Sequence, residues 1–133
     1  MNSPERIRKW LVSSGVLNRV GKPSRYIGKE LNRVTKNPAE KLRILLAFPD
    51  TYEVGMSHLG LKILYKELNL VDGFYAERAY LPWKDMIGEM YNAEIPLFSL
   101  ETYTPAIDFD ILGITLQYEL CYSNVLALLD LAD

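Results

Sequence analysis

The sequence predicts an α/β fold with a doubly wound, mainly parallel sheet, and three observations lead to that expectation. Short, continuous apolar runs at 44–48 and 111–116 are typical of strands that are buried on both faces. Between such runs, apolar residues recur every three or four positions, which is the period of an amphipathic helix. Strands and helices alternate along the chain, and this alternation favours parallel strands joined by helices.

Residues 1–41 precede this pattern and form a basic arm. Ser3 followed by Pro4 is typical of a helix start, because serine caps the free N–H groups and proline fits the first helical position. Glycines and prolines interrupt 16–38, so we expect an irregular segment there, with a turn of helix near 27–34.

Residues 42–133 form the predicted α/β domain, with about four strands. The expected strands are 44–48, 74–81, 96–100 and 111–116. The expected helices cover 61–68, 83–91 and 125–132, the last capped by Ser123 or Asn124. This order indicates a Rossmann-like or flavodoxin-like sheet. Such sheets usually have five or six strands, so we expect the chain to be a truncated part of a longer polypeptide.

Composition narrows the functional classes. The chain has 133 residues, a net charge of −2 and a single cysteine, Cys121, which cannot form an internal disulfide. We therefore expect a reducing, cytoplasmic setting. No apolar run approaches the roughly 20 residues that span a bilayer, so we expect no membrane association. Whether the free sheet edge of a truncated domain pairs two chains into a dimer stays open.

The net charge conceals a strong asymmetry. Residues 1–41 hold ten Lys and Arg against three acidic residues, whereas the remainder of the chain has a net charge of −9. In one interpretation, the arm packs on its own acidic domain or on the missing rest of the chain. In the other, it contacts RNA or another polyanionic macromolecule, because clustered cations neutralise phosphates.

The best place for a ligand is the rim beyond the carboxyl ends of the strands, where strand order reverses. Three polar and aromatic loops, 50–58, 101–104 and 117–122, should meet there. The candidate cofactor-binding residues are Thr51, Tyr52, Glu53, Gly55, Ser57, His58, Glu101, Thr102, Gln117, Tyr118 and Glu119. They combine apolar surface for a ring with polar anchors. The alternative is a solvated loop edge without a ligand.

Several chemistries are disfavoured. Gly55 and Gly60 have the spacing of a phosphate-binding loop, but Leu61 stands where that loop requires lysine. No dinucleotide-binding glycine pattern occurs. His58, the only histidine, could ligate a metal, but a capping role at a helix start is the more frequent use of such a residue. One cysteine and one histidine cannot form a zinc site, and we identify no catalytic residue.

Four segments resemble a bacterial family of radical S-adenosylmethionine proteins whose N-terminal domain is similar to cobalamin-binding domains. The segments are 25–32, 47–60, 96–102 and 116–120. The resemblance implies a cobalamin-type domain followed, beyond residue 133, by a radical S-adenosylmethionine barrel with a four-iron cluster held by three cysteines. With only Cys121, this chain lacks that cysteine motif. It also lacks the Asp-x-His-x-x-Gly motif of domains that ligate cobalt through histidine, because Asp50 and His58 are too far apart.

Two hypotheses follow. In the first, the domain binds a cobalamin-like cofactor for a downstream radical enzyme domain and is not catalytic alone. In the second, it is a degenerate Rossmann-like module that docks the downstream domain or a macromolecular substrate such as RNA through the basic arm.

Overall fold

A computed structural model describes residues 3–133. Ser3 caps the first helix, α1 (Pro4–Ser13), by accepting a hydrogen bond from the Arg6 N–H at 3.2 Å. A short helix, α2 (Val16–Arg19), and a 3-10 turn, Pro23–Tyr26, follow. The predicted helical start is confirmed. The turn of helix expected near 27–34 is wrong, since no helix forms there.

Three parallel strands form the sheet, in the order β2-β1-β3. They are β1 (Leu42–Phe48), β2 (Phe74–Tyr80) and β3 (Ile111–Ile114). The helices α3 (Tyr52–Gly55) and α4 (Leu59–Leu70) lie between β1 and β2 in the chain. Helix α5 (Lys84–Ala93) follows β2, and α6 (Tyr122–Ala132) follows β3. The α/β class and the parallel sheet are confirmed, and the order matches the start of a flavodoxin-like sheet.

Helices cover both faces of the sheet, as a doubly wound fold requires. Leu45 and Ala47 of β1 pack in one cluster with buried residues of α1, α5 and α6. Alternate residues of the same strand, such as Leu46, face a second cluster that includes Leu61 and Tyr65 of α4. The arm therefore contributes to the core, because α1 buries Ile7 completely. The expected domain boundary near residue 42 stays a prediction.

Two strand predictions need correction. The segment 96–100 is not a strand, and its one bridge joins Phe98 to Pro105. It lies along the outer edge of β2, where the Leu100 N–H donates to the Arg78 carbonyl at 2.9 Å. The sheet thus has three strands within residues 3–133 instead of four. Strand β3 is shorter than predicted and only partly buried, since it lies at the edge of the sheet.

The last helix also differs from expectation. Neither Ser123 nor Asn124 caps it, because α6 begins at Tyr122, and Asn124 instead donates to the Pro49 carbonyl at 2.9 Å. Leu128 and Leu131 are buried, whereas Leu126 is 69% exposed. The apolar surface of this helix is therefore only half covered. None of the helices in residues 3–133 has the length and hydrophobicity needed to cross a bilayer.

Candidate functional site

The reversal in strand order lies between β1 and β3, and the loops that follow these two strands meet there. The Tyr118 hydroxyl donates to Asp50 Oδ2 at 3.3 Å, and the Asn124 amide reaches the carbonyl of Pro49. We call residues 49–58 and 115–122 the switch-point rim. Open α/β sheets bind ligands at this position, because the backbones diverge there and leave a crevice.

The β3 side of the rim combines apolar and polar surface. Leu116 and Leu120 are 58% and 81% exposed, and Tyr118 between them is 44% exposed. Gln117 and Glu119 are exposed as well. The Cys121 thiol and the Asp50 carboxylate raise the pKa of Tyr118 to about 12, so its hydroxyl keeps its proton at neutral pH. This half of the rim offers apolar contact area with adjacent hydrogen-bonding groups.

Thr115 directly follows β3, and its buried hydroxyl has no hydrogen-bond partner among residues 3–133. An unpaired buried hydroxyl is unusual, since it loses its hydration without compensation. Sequence reasoning missed this residue, because a threonine at the end of an apolar run carries no signal. It is the first residue of the β3 side of the rim, and its hydroxyl is shielded from solvent.

The β1 side of the rim is occupied by contacts within the protein. Tyr52 donates to the Glu30 carboxylate, and Glu53 pairs with Arg25 at 2.8 Å. The Ser57 hydroxyl donates to the backbone carbonyl of Glu53. Burial, and then the bond to Glu30, raise the pKa of Tyr52. Tyr52 and Glu53 therefore hold the arm against the rim, whereas Ser57 bonds within its own loop.

Two other predicted binding residues of the 50–58 loop, Thr51 and Gly55, are packed within the protein. Thr51 is 8% exposed and stands at the start of α3, where its side chain makes no capping bond. Gly55 packs so tightly that an added Cβ would lie 2.4 Å from the Tyr80 ring. Gly55 thus allows α3 to lie on the end of β2. Sequence spacing alone did not distinguish this packing role from ligand binding.

His58 caps α4 through its imidazole. Its Nδ1 accepts the Leu61 N–H at 3.1 Å, and its ring lies 5.4 Å from that of Phe48. A neutral imidazole that accepts at Nδ1 carries its proton on Nε2, so Nε2 has no lone pair to offer a metal. The geometry therefore favours the capping role over ligation. Within residues 3–133 no cluster of three or more metal-binding side chains occurs.

The predicted loop 101–104 does not reach the rim. Glu101 is buried beside β2, where its carboxylate accepts the backbone N–H of Arg78 at 2.8 Å and the Nε–H at 2.7 Å. Thr102 donates to Glu77 Oε1 at 2.6 Å, further back along the same strand. The expectation that all three loops meet is wrong, because the loop lies along the side of β2.

Arg78 joins these groups into a buried ion network, which we define as Glu30, Tyr52, Arg78 and Glu101. Its guanidinium pairs with Glu101 and, at 2.7 Å, with Glu30. Burial raises the pKa of Glu101 despite the neighbouring Arg78. Burial also acts on Glu30, but the bond from Tyr52 and the charge of Arg78 outweigh it and lower the pKa of Glu30. The network connects the arm to β2.

Two cavities of about 500 Å³ lie against the arm. One is lined by α1 and residues 26–33, and the other by residues 30–34 and α4. Residues 115–122 of the rim line neither cavity.

Comparison with protein families matches residues 60–133, more than half of the chain, to the family described as "Radical SAM proteins, N-terminal". The chain belongs to this family. No curated protein and no solved structure matches the chain. The family implies a four-iron cluster and S-adenosylmethionine in a complete radical SAM protein.

The match confirms the resemblance at the level of a radical SAM N-terminal domain. It covers the β3 half of the rim and begins two residues after His58. The single cysteine, Cys121, is buried, so these 133 residues supply no set of three thiolates for a cluster. The assignment of the rim residues to a cofactor stays a prediction.

Proposed function

We propose that this radical SAM N-terminal domain presents a cobalamin-like cofactor at the switch-point rim and is not catalytic by itself. The observation that carries the proposal is the junction of Tyr118 with Asp50 at the β1/β3 reversal, next to the exposed Leu116 and Leu120. Apolar surface supports the face of a ring, and the neighbouring polar groups orient its substituents.

The β3 side of the rim would make the binding contacts. Leu116 and Leu120 would cover one face of the corrin, while Gln117, Tyr118 and Glu119 would bond its amide side chains. When bound, the cofactor supplies organometallic chemistry to the complete enzyme, and the domain supplies position and exclusion of water. His58 would keep its capping role, so cobalt would receive no imidazole from this chain.

We expect the protein to lie in the cytoplasm. Its single cysteine, Cys121, is buried and free, so the chain does not depend on an internal disulfide.

Hydroxocobalamin titration of the purified chain tests the proposal. Binding should appear as a change in the visible spectrum with a Kd on the order of micromolar. Tyr118→Ala should weaken it about tenfold, because an aromatic contact and a hydrogen bond are lost together. Tyr91→Ala is the matched control, since Tyr91 is also exposed and bonded to an aspartate, Asp130, but lies away from the rim.

The visible spectrum also tests the cobalt ligand. Without an imidazole from the protein, His58→Asn should leave the spectrum of bound cobalamin unchanged, since asparagine keeps the helix cap. Equal binding by Tyr118→Ala and Tyr91→Ala would contradict a cofactor site at the rim. The exposed apolar residues would then fit a surface that docks another domain.

A further inference from the structure

Most of the arm's positive charges are used by the fold itself. Arg19 pairs with Glu89, Lys22 and Arg25 pair with Glu53, and Arg6, Lys36 and Lys41 donate to backbone carbonyls. The interpretation that the arm packs on its own acidic domain is therefore correct for these cations. They are not available to a polyanion without loss of native contacts.

Three of the remaining arm cations converge on one cavity, which we call the basic groove. Arg8 from α1 and Lys29 and Arg33 from the arm line it. The exposed side chains of Arg8 and Lys29 have no hydrogen-bond or ion-pair partner among residues 3–133, and the Arg33 guanidinium donates only to the carbonyl of Gly28. Cations left without partners at one cavity indicate a place for negative charge.

The groove has an apolar wall and the volume of a small-molecule site. Its volume is about 500 Å³, within the range of ligand pockets. The apolar side chains that line it are Leu11, Val12, Leu17, Tyr26, Ile27 and Tyr103. A bare inorganic anion would leave this surface without a contact. The lining thus fits an organic molecule with an apolar body and a charged end.

The acidic residues of the groove do not cancel its charge. Glu5 lines it from α1, one turn from Arg8. Glu101 also lines it, but its carboxylate is bound to Arg78. Lys9, adjacent in the chain, lines a shallower extension with Arg8. Three cations of the groove therefore face one acidic residue whose charge is not already paired, and Lys9 lies beside them.

We propose that the basic groove binds a nucleoside phosphate, either as a free nucleotide or as part of an RNA strand. Two arginines and a lysine from separate segments match a multiply charged phosphate, because guanidinium groups bond phosphate oxygens in pairs. The apolar wall would contact the ribose and base. The groove is separate from the switch-point rim, so the proposal does not rest on cobalamin binding.

Binding of ADP and of a short oligouridylate to the purified chain tests this proposal at low salt by calorimetry. Inorganic phosphate should bind at least about tenfold more weakly than ADP, since it lacks the apolar contacts. Arg8→Glu combined with Lys29→Glu should weaken both ligands more than about tenfold and reduce the salt dependence of oligouridylate binding. Lys29→Glu alone provides the same test at an exposed loop position where folding is not at risk.

Lys84→Glu is the matched control, because Lys84 is exposed, lacks a partner within residues 3–133 and lies outside the groove. It should leave both affinities unchanged, as should Tyr118→Ala at the rim. Tighter binding of ADP would identify a free nucleotide as the ligand, and tighter binding of oligouridylate would identify RNA. Failure of both to bind, or equal loss with Lys84→Glu, would overturn the proposal.

Discussion

Some charged side chains of this domain form ion pairs inside the fold, whereas others stay at the surface without a partner. Arg78 is the clearest case, because its side chain is only 11% exposed and holds two carboxylates, Glu30 and Glu101. It also lies 4.4 Å from the centre of the Tyr65 ring. A buried carboxylate without its cation is costly, since it loses hydration and gains nothing in return. Arg78 therefore holds the arm, α4 and the 101–104 loop together.

Replacement of Arg78 tests this role and its pH dependence. Arg78→Met should lower the free energy of unfolding by about 3 to 5 kcal/mol at neutral pH. Without the cation, the folded-state pKa of Glu101 rises further above its unfolded-state value, and that of Glu30 rises above its own. The destabilisation should therefore be small at acid pH and grow as pH rises through those folded-state values. Urea unfolding at several pH values measures it.

Arg19→Met is the control for Arg78→Met. It removes an exposed pair with Glu89 and should leave the free energy of unfolding nearly unchanged at every pH, because solvent screens such a pair. A destabilisation by Arg78→Met that does not depend on pH would contradict the proposed electrostatic cause.

At the scale of elements, close backbone contact joins the arm to the edge of β2. Gly28 has a φ of +62°, a left-handed conformation that side chains disfavour. A Cβ at this position would lie 2.0 Å from the Leu100 carbonyl oxygen. Leu100 itself bonds to β2 through its N–H. The only residue type that allows this contact is therefore glycine.

Gly28→Ala should consequently separate the arm from the 96–104 segment. We expect a loss of more than about 2 kcal/mol in unfolding free energy, since backbone strain and a steric clash act together. Hydrogen exchange should increase at the Leu100 amide. Gly73→Ala is the matched control, because a Cβ there meets no atom within 4 Å. Equal stability of the two variants would mean that the arm shifts without cost.

At the scale of the whole molecule, the arm and the sheet share one core. Ile7 of α1 is fully buried in the same cluster as Leu45 of β1 and Leu128 of α6. Val12 on the same helix is 74% exposed. The composition of residues 1–41 suggests a separate basic segment, but its apolar positions are part of the globular structure.

Ile7→Ala should therefore destabilise the whole chain by about 2 to 5 kcal/mol, because it leaves a cavity in the shared core. Unfolding should stay a single transition by circular dichroism and by tryptophan fluorescence. Val12→Ala should change stability by less than about 0.5 kcal/mol. If the structure around Trp10 unfolded at a lower denaturant concentration than the sheet, the arm would unfold independently of the sheet.

The sequence by itself determined the α/β class, the three strands that formed, the capped start of α1 and the radical SAM resemblance. These features depend on local periodicity and on short motifs, which neighbours in the chain specify. It also indicated the capping role of His58, because position at a helix start is local information.

Only the tertiary structure decided which polar residues stay available to a ligand. Tyr52, Glu53 and Glu101 look like rim residues in the sequence, yet each is paired within the fold. Their partners are between 22 and 28 positions away in the chain, so no local pattern reveals them. The same holds for Arg8 and Lys29, which sequence groups with all other arm cations. Contacts between distant parts of the chain pair most of those charges, whereas the side chains of Arg8 and Lys29 stay unpaired at the basic groove.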